Sequence, residues 1–374
     1  MWKCNGLLVR NACRQSVKQE GVRHPWDAHT SSFTTHHESG GKSMKGRLVA
    51  ACLGLALCGT NPVWAVPVPT QVTTGIAHQA LFDVAFCHGN GYAVGAGGQI
   101  EYTADGGKTW KTEQSPTPLS LLGVAVNGSL AVAVGQMGTV LVKDGKGAWE
   151  QVPSGVKERL MKVAIRGDNV VAVGAFGAFI RSQDRGRTWS KIGPDWQAMY
   201  KQEIADGSLG FNFEPSLYVA NYDWKGDLFV AGELGAIIRS SDNGTTWEVV
   251  RPGEASTSSV GASIFGLSVN SKGVGVAVGQ NGLIVRTADG GATWNPVDSG
   301  TTSILLGALA KSDGTILVTG AYSMLWSDDG GEKWTPIGKK GGLVASAWYS
   351  NLAGNARTDG TIVVGQSATI LRVN

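Results

Sequence analysis

The octapeptide TADGGKTW at 103–110 returns almost unchanged as TADGGATW at 287–294. SQDRGRTW (182–189), SSDNGTTW (240–247) and SDDGGEKW (327–334) are variants of it, and VKDGKGAW (142–149) is a worn copy. Aligned on the tryptophan, the chain repeats at Trp110, Trp149, Trp189, Trp247, Trp294 and Trp334, with spacings of 39, 40, 58, 47 and 40 residues. A period near 40 residues signals a repeat architecture in which each unit is one supersecondary module. Upstream of each tryptophan an apolar run ends in glycine, at Gly95, Gly135, Gly174, Gly232, Gly279 and Gly320. A seventh such run, VVGQSATILRVN, places Gly365 near the end of the chain.

The unit LLGVAVNGSLAVAVGQMGTVLVKDGKGAWEQV (121–152) shows what one module contains. Two short apolar runs meet at the turn NGS, a Gly-x-x-Gly step leads into a third run, and a short segment leaves the tryptophan. Runs of this length, rich in β-branched residues and separated by turn residues, read as strands joined by hairpins. Seven such four-stranded units describe an all-β fold, a seven-bladed β-propeller of antiparallel blades around one axis. The octapeptide is then the hairpin between the third and fourth strands. Its aspartate accepts hydrogen bonds from the amides of its own turn, and its glycines take conformations that other residues resist. An element repeated once per blade is structural. This assigns Asp105, Asp184, Asp242, Asp289 and Asp329, with Trp110, Trp189, Trp247, Trp294 and Trp334, to the scaffold. The last repeat stops after its third strand, and PTQVTTGI (69–76) resembles a fourth strand. The N-terminal segment is therefore expected to close the ring and cover an open sheet edge.

The pattern S/T-x-D-x-G-x-T-W is the Asp-box, or BNR repeat, of sialidase-type propellers. The fuller unit is seen in GAFGAFIRSQDRGRTW (174–189), GELGAIIRSSDNGTTW (232–247) and GQNGLIVRTADGGATW (279–294). It resembles the photosystem II stability/assembly factor family, over roughly residues 70–374. The resemblance implies an exported seven-bladed propeller that contacts a membrane-protein client and has no catalytic role. A photosynthetic source would place it in the thylakoid lumen.

Composition agrees with strands and tight turns: 54 glycines, and a charged fraction of 16%. The formal net charge of +3 is unevenly placed, because eight of the 32 basic and three of the 29 acidic residues precede residue 66. The remainder carries 24 basic and 26 acidic residues, a balance that does not suggest a nucleic-acid binder. Residues 1–43 are polar and hold four of the six histidines. They read as a disordered extension or as sequence upstream of a true start at Met44. Residues 44–65 read as a signal peptide, with Lys45 and Arg47 before the apolar run 48–59, and Val63 and Ala65 at the cleavage site. The mature protein is then 66–374, exported and periplasmic, monomeric, with Cys87 as a small buried residue.

Catalysis finds little support. Sialidase chemistry needs an arginine triad whose first member precedes the first Asp-box, and here no arginine occurs between Val66 and Asp105. Glu203, Asp206, Glu214 and Glu233 show no spacing that singles out a carboxylate pair for another glycosidase. His78 and His88 are too few for a histidine-based metal site, so no metal, cofactor or catalytic residue is assigned. An Asp-box glycoside hydrolase and a carbohydrate-binding propeller are the rival readings.

Two features point to binding. Arg181, Arg239, Arg286 and Arg372 occupy one equivalent position near the end of the third strand, so a propeller sets them at one height around the ring. They form either a basic arc for carboxylates of a protein partner or spacers that lay their stems between blades. The insertion 193–216 lengthens one unit, with Asp195 placed to cap a short helix bearing Trp196 and Tyr200. It is either a partner-binding loop or a lid over its own blade. The family resemblance, with the export signal, implies that the partner is a membrane-protein complex at the outer side of the cytoplasmic membrane.

Overall fold

The computed structural model describes residues 65–354 and 360–374. The 1–43 extension and, apart from Ala65, the 44–65 signal peptide lie outside the described residues. Among the described residues there are seven four-stranded antiparallel sheets, each one blade. Blade 2 is representative: Leu121–Asn127, Leu130–Gly135, Val140–Asp144 and Glu150–Val152. Blade 7 takes three strands from the C-terminal end, Tyr349–Gly354, Thr361–Gly365 and Ile370–Val373. Its outer strand is Pro69–Thr73, which pairs antiparallel with the last strand, Pro69 opposite Val373 and Gln71 opposite Leu371. The N-terminal strand thus closes the ring as expected.

Each inner strand lies against the inner strands of both neighbouring blades. Small residues permit the approach: a Cβ on Gly266 of blade 5 would stand 2.9 Å from the Gly307 Cα of blade 6. Every inner strand also carries one register shift at its start, for example between Leu81 and Asp83, and between Leu160 and Lys162. A bulge of this kind bends the strand and tightens its twist where it begins to line the axis. Successive blades then bury Val, Ile, Leu and Phe between them; Phe86, Phe179 and Phe229 are fully enclosed. Cys87 is buried as well.

The connections fall on two ends. Asp-box hairpins and first-to-second turns share one end. The second-to-third turns and the outer-to-inner connections share the other, which also carries the 193–216 insertion.

Candidate functional site

The Asp-box turns close on themselves. In blade 3 the Ser182 hydroxyl donates to Asp184 (2.7 Å) and accepts from the Gly186 amide (2.8 Å). Asp184 accepts in turn from the Thr188 amide (2.9 Å) and hydroxyl (2.6 Å), and Trp189 Nε1 donates to the Gly186 carbonyl (2.9 Å). The same bonds recur around Asp105 and Asp289. Around Asp329 a lysine, Lys333, replaces the threonine and only its amide donates. The tryptophan does not simply lie on its own blade. Trp110 meets Phe86 of its own blade edge-on and packs in a cluster with Ile362 and Val364 of blade 7, Trp189 packs among blade 2 and 3 residues, and Trp294 meets Phe229 of the preceding blade. Each Asp-box is a wedge between two blades. In the worn copy Trp149 turns to Glu113 of blade 1 instead, at 2.9 Å, beside the Lys143–Glu113 ion pair.

The arginines belong to the same junctions. Arg181 Nη1 donates to the Asn243 carbonyl (2.9 Å), Arg286 Nε to Gly330 (2.7 Å) and Arg372 Nη2 to Gly106 (3.0 Å). Each acceptor directly follows the aspartate of the next blade's Asp-box. Three of the four arginines thus brace the following blade. Arg239 does not: it pairs with Glu248 of its own blade at 2.6 Å, and Lys225 stands beside the next blade's Gly290. All four remain half-buried, on the Asp-box end. A guanidinium has five donors in a fixed fork. A brace through one of them orients the rest without exhausting them. Arg185 adds a further cation here, paired with Asp144 of blade 2 at 2.9 Å.

The insertion is a lid. Asp195 accepts from the Ala198 amide (3.0 Å) and starts two short helices, Trp196–Met199 and Lys201–Ala205. Trp196 and Tyr200 are only 7% and 4% exposed; they pack with Leu234 and Phe213, and as the structure stands they offer no surface to a partner. Burial, then the charges of Glu203 and Glu233, push the Tyr200 hydroxyl up to about 12. Glu233 pins the lid by accepting from the Ser216 amide (2.8 Å), and Asp206 accepts from Ser208 in its own turn (2.9 Å). Two of the four carboxylates weighed for glycosidase chemistry are therefore engaged in loop structure.

A group the sequence does not reveal lies on the axis. Asp83 of blade 1 is 1% exposed and receives Lys162 of blade 3 at 2.8 Å, Asn351 of blade 7, and the Val124 amide of blade 2 at 2.9 Å. Four blades meet at one carboxylate, beside an axial cavity of about 70 Å³ lined in part by Val84, Lys162, Tyr218, Phe265 and Asn351. Among the described residues no group of three or more His, Cys, Asp or Glu is arranged to hold a metal.

Comparison with known proteins bears on this architecture. Residues 68–191 match a family model described as Photosynthesis system II assembly factor YCF48. No curated protein matches the chain in sequence. The fold is similar to a solved structure titled YCF48 bound to D1 peptide (TM-score 0.62, 17% identity, covering 83% of this chain and 97% of that one). It is also similar to YCF48 from Cyanidioschyzon merolae (0.63, 19%, 82% and 98%). A GH74 xyloglucanase from Xanthomonas campestris shares the fold at 14% identity, with a TM-score of 0.56 over 82% of this chain and 53% of that one. The chain is a seven-bladed propeller similar in sequence, over its first three blades, to the photosystem II assembly factor YCF48 family, and similar in overall fold to that family's solved structures.

Proposed function

We propose that the chain is a non-catalytic, exported propeller that assists assembly of a membrane-protein complex by holding a segment of one of its proteins from the outer side of the membrane. The observation that carries this reading is the match of residues 68–191 to the YCF48 assembly-factor family. A structural relative is titled as bound to a D1 peptide, which makes a peptide segment the expected kind of ligand. The Asp-box end supplies suitable chemistry. Arg181, Arg239, Arg286 and Arg372 form a rim of oriented guanidiniums that fits carboxylates of an acidic segment or a chain terminus. Arg239 suits the task best, because it braces no neighbouring blade. The export signal is 44–65, and the mature protein runs from Val66 as a monomer.

The test is capture. The immobilised chain is exposed to detergent-solubilised membrane proteins of its source at low and high salt. An integral membrane protein is retained at low salt and released at high salt, since screening acts over about 8–10 Å. Arg239→Glu retains its fold and loses the partner. Retention that ignores both salt and Arg239→Glu refutes the rim as the site; retention of no membrane protein refutes the function.

A further inference from the structure

The end opposite the Asp-boxes is unlike the rest of the surface. Met137, Phe176 and Tyr322, in second-to-third turns, are 71%, 74% and 61% exposed. Ile76, Ile304 and Leu343 are exposed in outer-to-inner connections of the same end. Among the described residues, the Asp-box end exposes Trp224 in its turns and Val66 and Val68 in the segment that leads into Pro69–Thr73.

Three of these residues are held against their conformational preference. Met137, Phe176 and Tyr322 have φ of 52°, 50° and 57°, the left-handed region that bulky residues avoid. The same turn position is Gly97 in blade 1 and Asn281 in blade 5, residue types suited to it. Leu234 of blade 4 adopts it too, but the lid buries that side chain, so packing accounts for it. The turn geometry is common to the blades, but no packing accounts for bulky residues at Met137, Phe176 and Tyr322, whose side chains project into solvent. Strain retained without a packing return points to function.

Charge divides this end into two arcs. From the connection of Ile304 through blade 7 to Phe176, this end holds Lys157, Arg159, Lys339 and Lys340 against Glu158 and Asp298, and all four cations are exposed. Lys157 and Arg159 line an open hollow of about 330 Å³ with Leu119, Gln136 and Met137. Lys339 and Lys340 lie in the connection whose Ala347 carbonyl accepts from the Tyr322 amide at 3.0 Å. The other arc is acidic, since Asp195, Glu203, Asp206, Glu214, Glu233 and Glu254 outnumber Lys201; it also exposes Phe211 and Val260, and its Glu214 lies beside Gly177 in the Phe176 turn.

We propose that the basic and apolar arc is a membrane-docking face. It lays Met137, Phe176 and Tyr322 into the headgroup boundary of a bilayer containing anionic lipid, sets Lys157, Arg159, Lys339 and Lys340 against lipid phosphates, and tilts the acidic lid side away. Equivalent turns in blades 2, 3 and 6 stand at one height on different sides of the ring. A plane reaches all three, whereas a peptide in one groove reaches one. Aromatic and apolar side chains with nearby cations are the composition of interfacial binding. The proposal is independent of the arginine rim, which lies at the opposite end.

The test is flotation of the full chain with phosphatidylcholine vesicles, with and without phosphatidylglycerol. The chain floats with the anionic vesicles. The triple variant Met137→Asn, Phe176→Asn, Tyr322→Asn loses at least about tenfold in affinity, given the apolar area withdrawn, and its melting temperature does not fall, because asparagine suits these turns. Trp224→Asn floats as the parent does. Replacing Lys157, Arg159, Lys339 and Lys340 by glutamine removes the preference for phosphatidylglycerol. The proposal is overturned if the parent floats with neither vesicle, or if the triple variant floats as well as the parent, which would place binding elsewhere in the chain. A preference for phosphatidylglycerol that survives the glutamine variant overturns it as well.

Discussion

The carboxyl of Asp184 is at the surface, yet the Thr188 hydroxyl and amide and the Ser182 hydroxyl hold its pKa down at about 2. Hydrogen bonds lower Asp105 and Asp242 in the same way, through Thr109 and Thr246. A carboxylate whose folded pKa lies below its unfolded value of about 4 stabilises the fold above that value and loses the contribution as pH falls through the folded pKa. The propeller should therefore lose stability between about pH 4 and about pH 2. Thr188→Val should cost up to about 1 kcal/mol near neutral pH, as one exposed hydrogen bond does, and the cost should shrink toward zero near the acid end. Thermal melts of parent and variant across that range check this; a penalty independent of pH would mean that Thr188 acts by packing. These residues were legible in the sequence because the whole turn closes within eight positions. The destinations of the neighbouring arginines were not. Alignment of the repeats gives their common height, but their acceptors lie 62, 44 and 266 residues away.

At the scale of the element, one blade is two apolar hairpins and a wedge. Periodicity and turn residues disclose the strands, and the truncated seventh repeat discloses the closing strand Pro69–Thr73. The capping role of Asp195 was also readable, since a cap is local. Burial of Trp196 and Tyr200 was not, because their spacing shows that they share a face and not that the face meets Leu234 and Phe213. Nor does any pattern announce that Asp83, Lys162 and Asn351, from three distant repeats, converge on the axis. The bulge that opens each inner strand helps to place them there. That convergence carries a consequence for stability. Lys162→Met leaves a buried carboxylate without its cation and should cost about 3–5 kcal/mol, the usual effect of breaking a buried pair. Partial exposure of Lys162 places the value toward the lower end. Adding Asp83→Asn should recover part of the loss, so the two changes are non-additive. Denaturant melts of the singles and the double decide it; strict additivity would show that the pair does not interact.

The whole molecule has two unlike ends. One is built of Asp-box turns, braced arginines and most of the turn carboxylates; the other bears the lid, the strained apolar turns and the polarised arcs. A repeat makes the ring legible from sequence, but it makes all blades look alike, and function resides where they differ. The proposed role depends on the first end: an oriented guanidinium rim that receives an acidic segment of a membrane protein. Hydrogen exchange of the chain, alone and with the membrane protein it captures, tests this most directly. Binding at the rim should slow exchange in the third strands Phe179–Ser182, Ile237–Ser240 and Ile284–Thr287 and in the Asp-box turns that follow them. Slowing confined to the 193–216 lid and the second-to-third turns, with the Asp-box end unchanged, would contradict it.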